Sequence, residues 1–402
     1  MSAFGWCWVL PGDFWILSSD FCFLFAVFCF FLLLFVNRVA VAIFFVAKTF
    51  DNLYPQLTDF GNLYLAWRKA ARGKRGMPAA ANFELNLADE LIRLQHELIT
   101  ETWQPGEYYS FTIRDPKRRL VSAAPFRDRV VHHALCNVTE AIFENTFIAD
   151  SYANRVGKGT HAALDKAQSL MRRYPYVLQC DIRQFFPSVD HAVLESILYR
   201  KIVDEPTRRL IQKIIDSGVG IHDDDYRMVY FPGDDLFAVN RPRGLPIGNL
   251  TSQFWANVFL NELDQFVKRE LHCKGYVRYV DDFLLFADNK PQLWKWKSSI
   301  VEFLNRLRLV LHEKSSTVYP VANGIPFLGF RLYPGYRLLK RKNGVNFQRR
   351  LKRYYRAYAR GELSQDSMRQ RVRGWIAHVG YADTWGLRRS LFAVPLPKRQ
   401  AP

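Results

Sequence analysis

The sequence predicts an α+β fold, and three observations carry that prediction. Tyr279-Val280-Asp281-Asp282-Phe283 sets two adjacent carboxylates between the apolar runs 275–278 and 284–286, a strand, tight turn and strand in succession. Tyr176-Val177-Leu178-Gln179-Cys180 is a largely apolar, buried strand that ends on Asp181. Around these, Phe83, Leu87, Leu91, Leu94 and Leu98 recur at helical spacing, and residues 127–144 do so again. No internal repeat or low-complexity tract appears.

Taken from the N-terminus, Phe21 to Val36 is an unbroken apolar run, followed by Asn37-Arg38 and a second run from Val39 to Ala47. A spanning helix needs roughly 20 apolar residues, so the stretch crosses a membrane only by absorbing Asn37 and Arg38. No basic segment precedes it and no small-residue cleavage site follows, so a signal peptide is a poor fit. A hydrophobic helix over residues 1–50 acting as a membrane anchor through 21–47, a buried hairpin, and an upstream extension of the reading frame all remain open. If it spans, Arg38, Lys48 and the basic body place the rest in the cytoplasm, tethered to the inner face of the membrane.

The chain carries a formal charge of +18. Arg38 and Lys48 offset Asp13 and Asp20 before residue 50, so the excess belongs to the body and favours a nucleic acid over an acidic lipid surface. Cysteines at 7, 22, 29, 136, 180 and 273 show no paired spacing, which suggests neither a zinc site nor a disulfide framework.

Asp59 to Gly76 reads as an amphipathic start to the globular part, with Arg68-Lys69 and Arg72-Gly73-Lys74-Arg75 behind it. The helix through Phe83 and Leu98 ends near Trp103. Tyr108 to Ile113, a turn at Asp115-Pro116-Lys117-Arg118, and Arg119 to Ala123 make a hairpin with a basic tip, whose Lys117 and Arg119 are placed to clamp phosphate. After Asp181, Pro187-Ser188-Val189-Asp190 can open a helix, with Ser188 or Asp190 as its cap. The loop Arg243 to Gln253 leads into an apolar helix, Phe254 to Phe266; its small residues let a base pair or phosphate approach the backbone. Beyond the Asp-Asp hairpin come a helix (Leu293 to Leu307), the segment Leu311-His312-Glu313-Lys314, and a short strand, Phe327-Leu328-Gly329-Phe330-Arg331. From Arg337 to Arg360 there are ten basic residues and no acidic one, interleaved with Tyr354, Tyr355 and Tyr358, a bias that points to a phosphate backbone. Trp375 to Phe392 closes the chain with one or two helices.

Two carboxylates against an apolar hairpin call for a compensating cation, and oxygen-only ligands favour Mg²⁺, with Mn²⁺ as its substitute. Asp181, at the end of a buried strand, supplies the third acid.

Read in order from about residue 60 to 392, these motifs resemble a reverse transcriptase. Asp181-Ile182-Arg183-Gln184-Phe185-Phe186 is similar to the first palm motif, Tyr279-Val280-Asp281-Asp282 to the second, and Phe327-Leu328-Gly329-Phe330 to the primer grip. Within that superfamily, 127–135, 150–161 and 245–253 resemble the enzymes of diversity-generating retroelements and their bacterial relatives. Group II intron enzymes usually carry Gln where Ile247 stands and Pro where Gln253 stands, so these positions argue for the diversity-generating branch. There the altered motif goes with low fidelity opposite template adenine.

The resemblance implies a right-hand polymerase fold: fingers and palm over 51–334, the palm a ferredoxin-like βαββαβ sheet, and a basic helical thumb over 335–402. It implies two-metal phosphoryl transfer, with Asp181, Asp281 and Asp282 catalytic and the same three plus the Ile182 carbonyl as metal ligands. Phe186 resembles the steric gate against a ribose 2′-hydroxyl, Ile247 and Gln253 would line the template side, and Lys314 resembles the lysine that protonates pyrophosphate. The implied partners are an RNA template, a DNA or RNA primer, dNTPs and an accessory nucleic-acid-binding protein. Two alternatives stand beside this: a phage-defence polymerase copying a dedicated non-coding RNA, and a non-catalytic RNA-binding scaffold of the same shape.

Overall fold

The computed structural model describes residues 48–113 and 118–393. The anchor expected over residues 21–47 and the clamp residue Lys117 lie outside them. Among the described residues no helix is long and apolar enough to cross a membrane.

Four helices come first: α1 (Tyr54–Thr58), α2 (Phe60–Ala71), α3 (Pro78–Leu85) and α4 (Leu87–Ile99). Asp59 caps α2 by accepting the Asn62 amide at 3.1 Å, and Leu63, Ala66, Trp67 and Ala70 form its buried face. The single helix expected through Phe83 and Leu98 is two, because Asn86 leaves helical geometry (φ −114°, ψ 35°). It also stops at Ile99, short of Trp103.

The predicted hairpin is β1 (Tyr109–Ile113) against β2 (Arg119–Ala123), paired from Tyr109 with Ala123 to Ile113 with Arg119. Next come α5 (Phe126–Glu144), buried on most of its circumference, and α6 (Thr160–Arg173). Then follow β3 (Tyr176–Asp181), α7 (Phe185–Ser188), α8 (His191–Tyr199), α9 (Glu205–Asp216), α10 (Leu250–Arg269), β4 (Gly275–Tyr279), β5 (Asp282–Ala287), α11 (Lys290–Arg306) and β6 (Thr317–Pro320).

β3 to β6 form one antiparallel sheet in the order β4-β5-β3-β6. With helices crossing between β3 and β4 and again between β5 and β6, this is the expected ferredoxin-like βαββαβ arrangement. Both faces are covered. Leu178, Cys180, Tyr276, Phe283 and Leu285 point into the large core shared with α5, α10 and α11, while Val177, Val277, Leu284 and Phe286 point into a second core under α6. Burial on two sides is why these strands read as continuous apolar runs without polar alternation.

Phe327 to Arg331 is not one strand. β7 (Ile325–Phe327) turns at Leu328 and Gly329, both at positive φ (45° and 89°), into β8 (Phe330–Leu332), which pairs with β9 (Arg337–Leu339). α12 (Arg341–Ala359), α13 (Gln365–Val379) and α14 (Trp385–Phe392) then pack on a small core centred on Phe347, whose ring stacks on Trp375 at 3.6 Å. Asp165 on α6 ties this end to the body: it accepts from Arg337 and from the Tyr381 hydroxyl, and the Tyr381 ring stacks on His161 at 3.7 Å.

Candidate active site

The three acids meet through strand register. Asp181, the last residue of β3, pairs directly with Asp282, the first of β5, and Asp281 occupies the turn before it. Directly opposed residues on antiparallel strands have Cβ atoms about 4.5–5.5 Å apart, and like charges in that position repel. The next residue continues the seam: the Ile182 amide donates to the Asp281 carbonyl at 3.3 Å, and the His312 amide donates to the Asp181 carbonyl at 2.8 Å. The ends of three chain segments are thereby held in one layer.

A residue outside the sequence prediction holds the turn. Arg278 on β4 is fully buried, and its guanidinium makes a two-pronged pair with Asp264 of α10 at 2.7 and 2.6 Å. It also donates to Ser151 Oγ at 3.0 Å and to the Val280 carbonyl at 3.2 Å. Burial works against its charge, but the Asp264 carboxylate outweighs burial and holds the arginine above its ordinary pKa. The Tyr276 hydroxyl donates to the same carboxylate at 2.9 Å. Val280 carries the left-handed dihedral of this turn, at φ 55°, an unfavourable conformation for a β-branched residue. The guanidinium on its carbonyl is the compensating contact. The signal was present in the sequence: one arginine inside an otherwise apolar strand.

Two cavities open on either side of Asp181, and Arg119 lines both. The smaller, about 510 Å³, is walled by Asp181, Ile182, Phe186, Ile247 and Asp281. The larger, about 910 Å³, is lined by Asp181, Asp282, Lys314, the turn at Leu328 and Gly329, and the cations Arg331, Lys340 and Lys342. Phe186 packs edge-on against Phe185 as well as facing the smaller cavity. Ile247 reaches it because the loop before α10 docks on β2: its carbonyl accepts the Ser122 amide at 2.8 Å, and Asn249 Oδ1 accepts the Ala124 amide at 3.2 Å. Gly248 (φ 126°) permits this approach, since a Cβ there would sit 3.0 Å from Val121. Gln253 does not join them; it is exposed on the first turn of α10 and lines neither cavity.

Asp190 does cap its helix, accepting the Val193 amide at 3.0 Å. It is also the buried centre of an ion-pair network with Arg241 (2.9 Å) and Arg308 (3.1 Å), both of which reach Asp234. Ser188 turns back to the Gln184 carbonyl.

Among the described residues no three His, Cys, Asp or Glu side chains close into a ready ion-binding cluster. The donor chemistry nonetheless suits a hard cation: Asp181, Asp281 and Asp282, with Ile182 beside them, line two open cavities that arginine and lysine also line. Mg²⁺ takes few protein carboxylates and completes its shell from water and substrate phosphate, so an open half-site is what such an ion needs.

Comparison with known proteins gives the family. The chain is 22% identical over 356 residues to the group II intron-encoded protein LtrA of Lactococcus lactis subsp. cremoris, covering 71% of this chain and 57% of that protein. It is 27% identical over 289 residues to the protein YkfC of Escherichia coli, covering 62% of this chain and 72% of that one. Among solved structures, apo telomerase from Candida tropicalis truncated from the C-terminal domain overlays at TM-score 0.43 and 12% identity, over 62% of this chain and 59% of that chain. Residues 114–332, more than half the chain, match the reverse transcriptase (RNA-dependent DNA polymerase) family and span both cavities' carboxylates, so the chain belongs to that family.

Proposed function

We propose that this chain is an RNA-directed DNA polymerase that copies an RNA template into cDNA. The observation that carries the reading is the pairing of Asp181 with Asp282, beside Asp281, at the seam between two cation-rimmed cavities. In this reading residues 51–334 are fingers and palm, with the four-stranded sheet as palm, and residues 335–402 are the thumb.

Asp181, Asp281 and Asp282, with the Ile182 carbonyl, would hold two Mg²⁺ ions. Bound there, magnesium lowers the pKa of a primer 3′-hydroxyl and neutralises triphosphate charge. The chain's own residues do the rest. Arg119 sits between the cavities and binds the phosphates that pass from one to the other. Phe186 narrows the smaller cavity on the sugar side, and Ile247 bounds it against the template base. Lys314, in the larger cavity beside Asp181 and Asp282, holds a proton within reach of a leaving phosphate. The turn at Leu328 and Gly329 forms the far wall, where a primer strand would lie. α12 grips the product duplex through Arg349, Arg353 and Arg356, which line a shallow basic groove.

Within the family, the stretches 127–135, 150–161 and 245–253, with Ile247 and Gln253 among them, support the diversity-generating branch, and of these two residues Ile247 lines the smaller cavity. A phage-defence enzyme is the competing biology. A neighbouring gene with a paired template repeat separates the two. The test of the chemistry is primer extension on an RNA template with a DNA primer, dNTPs and Mg²⁺. Wild type extends, and Asp282→Asn loses about a thousandfold or more, the several kcal/mol that metal-assisted charge stabilisation contributes. No extension by wild type, or equal extension by both, overturns the reading.

A further inference from the structure

The smaller cavity is also lined by the long connection between α9 and α10, through His222, Asp225 and Arg227. This stretch is anchored at three points. His222 is buried with its ring nitrogen on the Leu245 carbonyl at 3.0 Å, inside the loop that carries Ile247. Tyr226 lies under the Arg243 guanidinium, 4.3 Å from its ring centre. Gln184, three residues past Asp181, adopts a left-handed backbone (φ 49°), and its side chain holds the loop by both ends of its amide. It donates to the Asp225 carbonyl and accepts the Arg227 amide at 3.3 Å.

An arginine delivered by a fixed backbone is a different object from one on a mobile loop. The Arg227 side chain is exposed and reaches into the cavity, while its backbone amide is tied to the same motif that carries Asp181. Preorganisation of this kind lowers the backbone part of the ordering cost of binding an anion. The cavity's other cations are Arg118, Arg119 and Arg183, so Arg227 is the one arginine that the connection between α9 and α10 brings to it.

We propose that Arg227 contacts the triphosphate of the incoming nucleotide, and that Gln184 is the positioning residue that aims it. The inference rests on the polymerase reading above and adds to it a specific anion contact from the connection between α9 and α10.

The test has two readouts. In single-nucleotide incorporation, Arg227→Ala raises KM for dNTP about tenfold or more, the value of one charge-assisted contact, with kcat within about threefold. Primer–template affinity is unchanged, and Arg227→Lys recovers part of the loss. Gln184→Ala gives a smaller KM shift in the same direction, and the double variant is no worse than Arg227→Ala alone, because both act through one contact. Separately, calorimetry with inorganic tripolyphosphate and Mg²⁺ measures the anion site without turnover, and Arg227→Ala weakens that binding by about the same factor. If wild type incorporates nothing, the polymerase reading fails, and calorimetry still decides the anion contact. Unchanged KM, or unchanged tripolyphosphate affinity in Arg227→Ala, overturns the assignment of Arg227. Additive effects in the double variant overturn the role of Gln184.

Discussion

Arg278→Met removes the buried cation under the candidate active site and leaves Asp264 with the Tyr276 hydroxyl as its remaining neutral donor. Both partners of the pair are fully buried. Breaking such a pair from one side costs about 3–5 kcal/mol, because a charge stays behind in a medium that solvates it poorly. With an unfolding entropy near 2.1 cal/mol/K per residue over the roughly 350 residues of the globular part, that corresponds to a fall of about 4–7 °C in Tm. Scanning calorimetry on wild type, Arg278→Met, Asp264→Leu and the double variant closes the cycle. The double variant recovers most of the loss, since replacing both charges with apolar groups removes the stranded ion. Extension activity behaves differently: it stays low in the double variant, because nothing then holds the Val280 carbonyl in its left-handed turn. A single variant within about 1 kcal/mol of wild type refutes the stability argument. Activity restored together with stability refutes the assignment of Arg278 to the turn.

Two further outcomes follow from the same contacts. His132 is completely buried, and burial pushes its pKa down to about 3, so the folded chain keeps it neutral while the unfolded chain protonates it below about 6.5. The unfolded state then binds the extra proton, and stability falls with decreasing pH, by about 1.6 kcal/mol from this group between pH 6.5 and 5. Denaturant titrations across that range show a shallower pH slope for His132→Gln than for wild type, and equal slopes contradict the assignment. On α12, Arg349, Lys352, Arg353 and Arg356 are exposed. Replacing any one by Gln lowers the slope of log affinity against log salt for an RNA–DNA duplex by roughly one, measured by filter binding between 50 and 200 mM salt.

Much of this arrangement was legible in the primary structure, for identifiable reasons. The sheet announced itself because strands buried on both faces must be apolar throughout, and the carboxylates stood out as exceptions at strand ends. The breaks were harder. Asn86 divides a helix whose apolar period runs on unchanged across it, and the turn at Leu328 and Gly329 was hidden by flanking residues that suit a strand on either side. Arg278 was visible as an arginine, but its partner lies on α10, fourteen residues earlier and in another element. The same holds for Arg227, which shares a cavity with Asp181 and is held there by Gln184, and for Gln253, whose motif membership did not bring it to either cavity. Local pattern reports which residues are out of place; only the assembled fold reports what they face.

Since neighbouring positions of β3 serve opposite cores, a one-residue deletion within Tyr176–Cys180 would exchange the two sets of side chains and slide Asp181 off its partner on β5. Insertions and deletions compatible with activity are therefore confined to the connections. The longest of these, from Ser217 to Asn249, is pinned to the body at Asp190 and Gln184. A change of length there leaves the strands beneath, and the pairing of Asp181 with Asp282, unaltered.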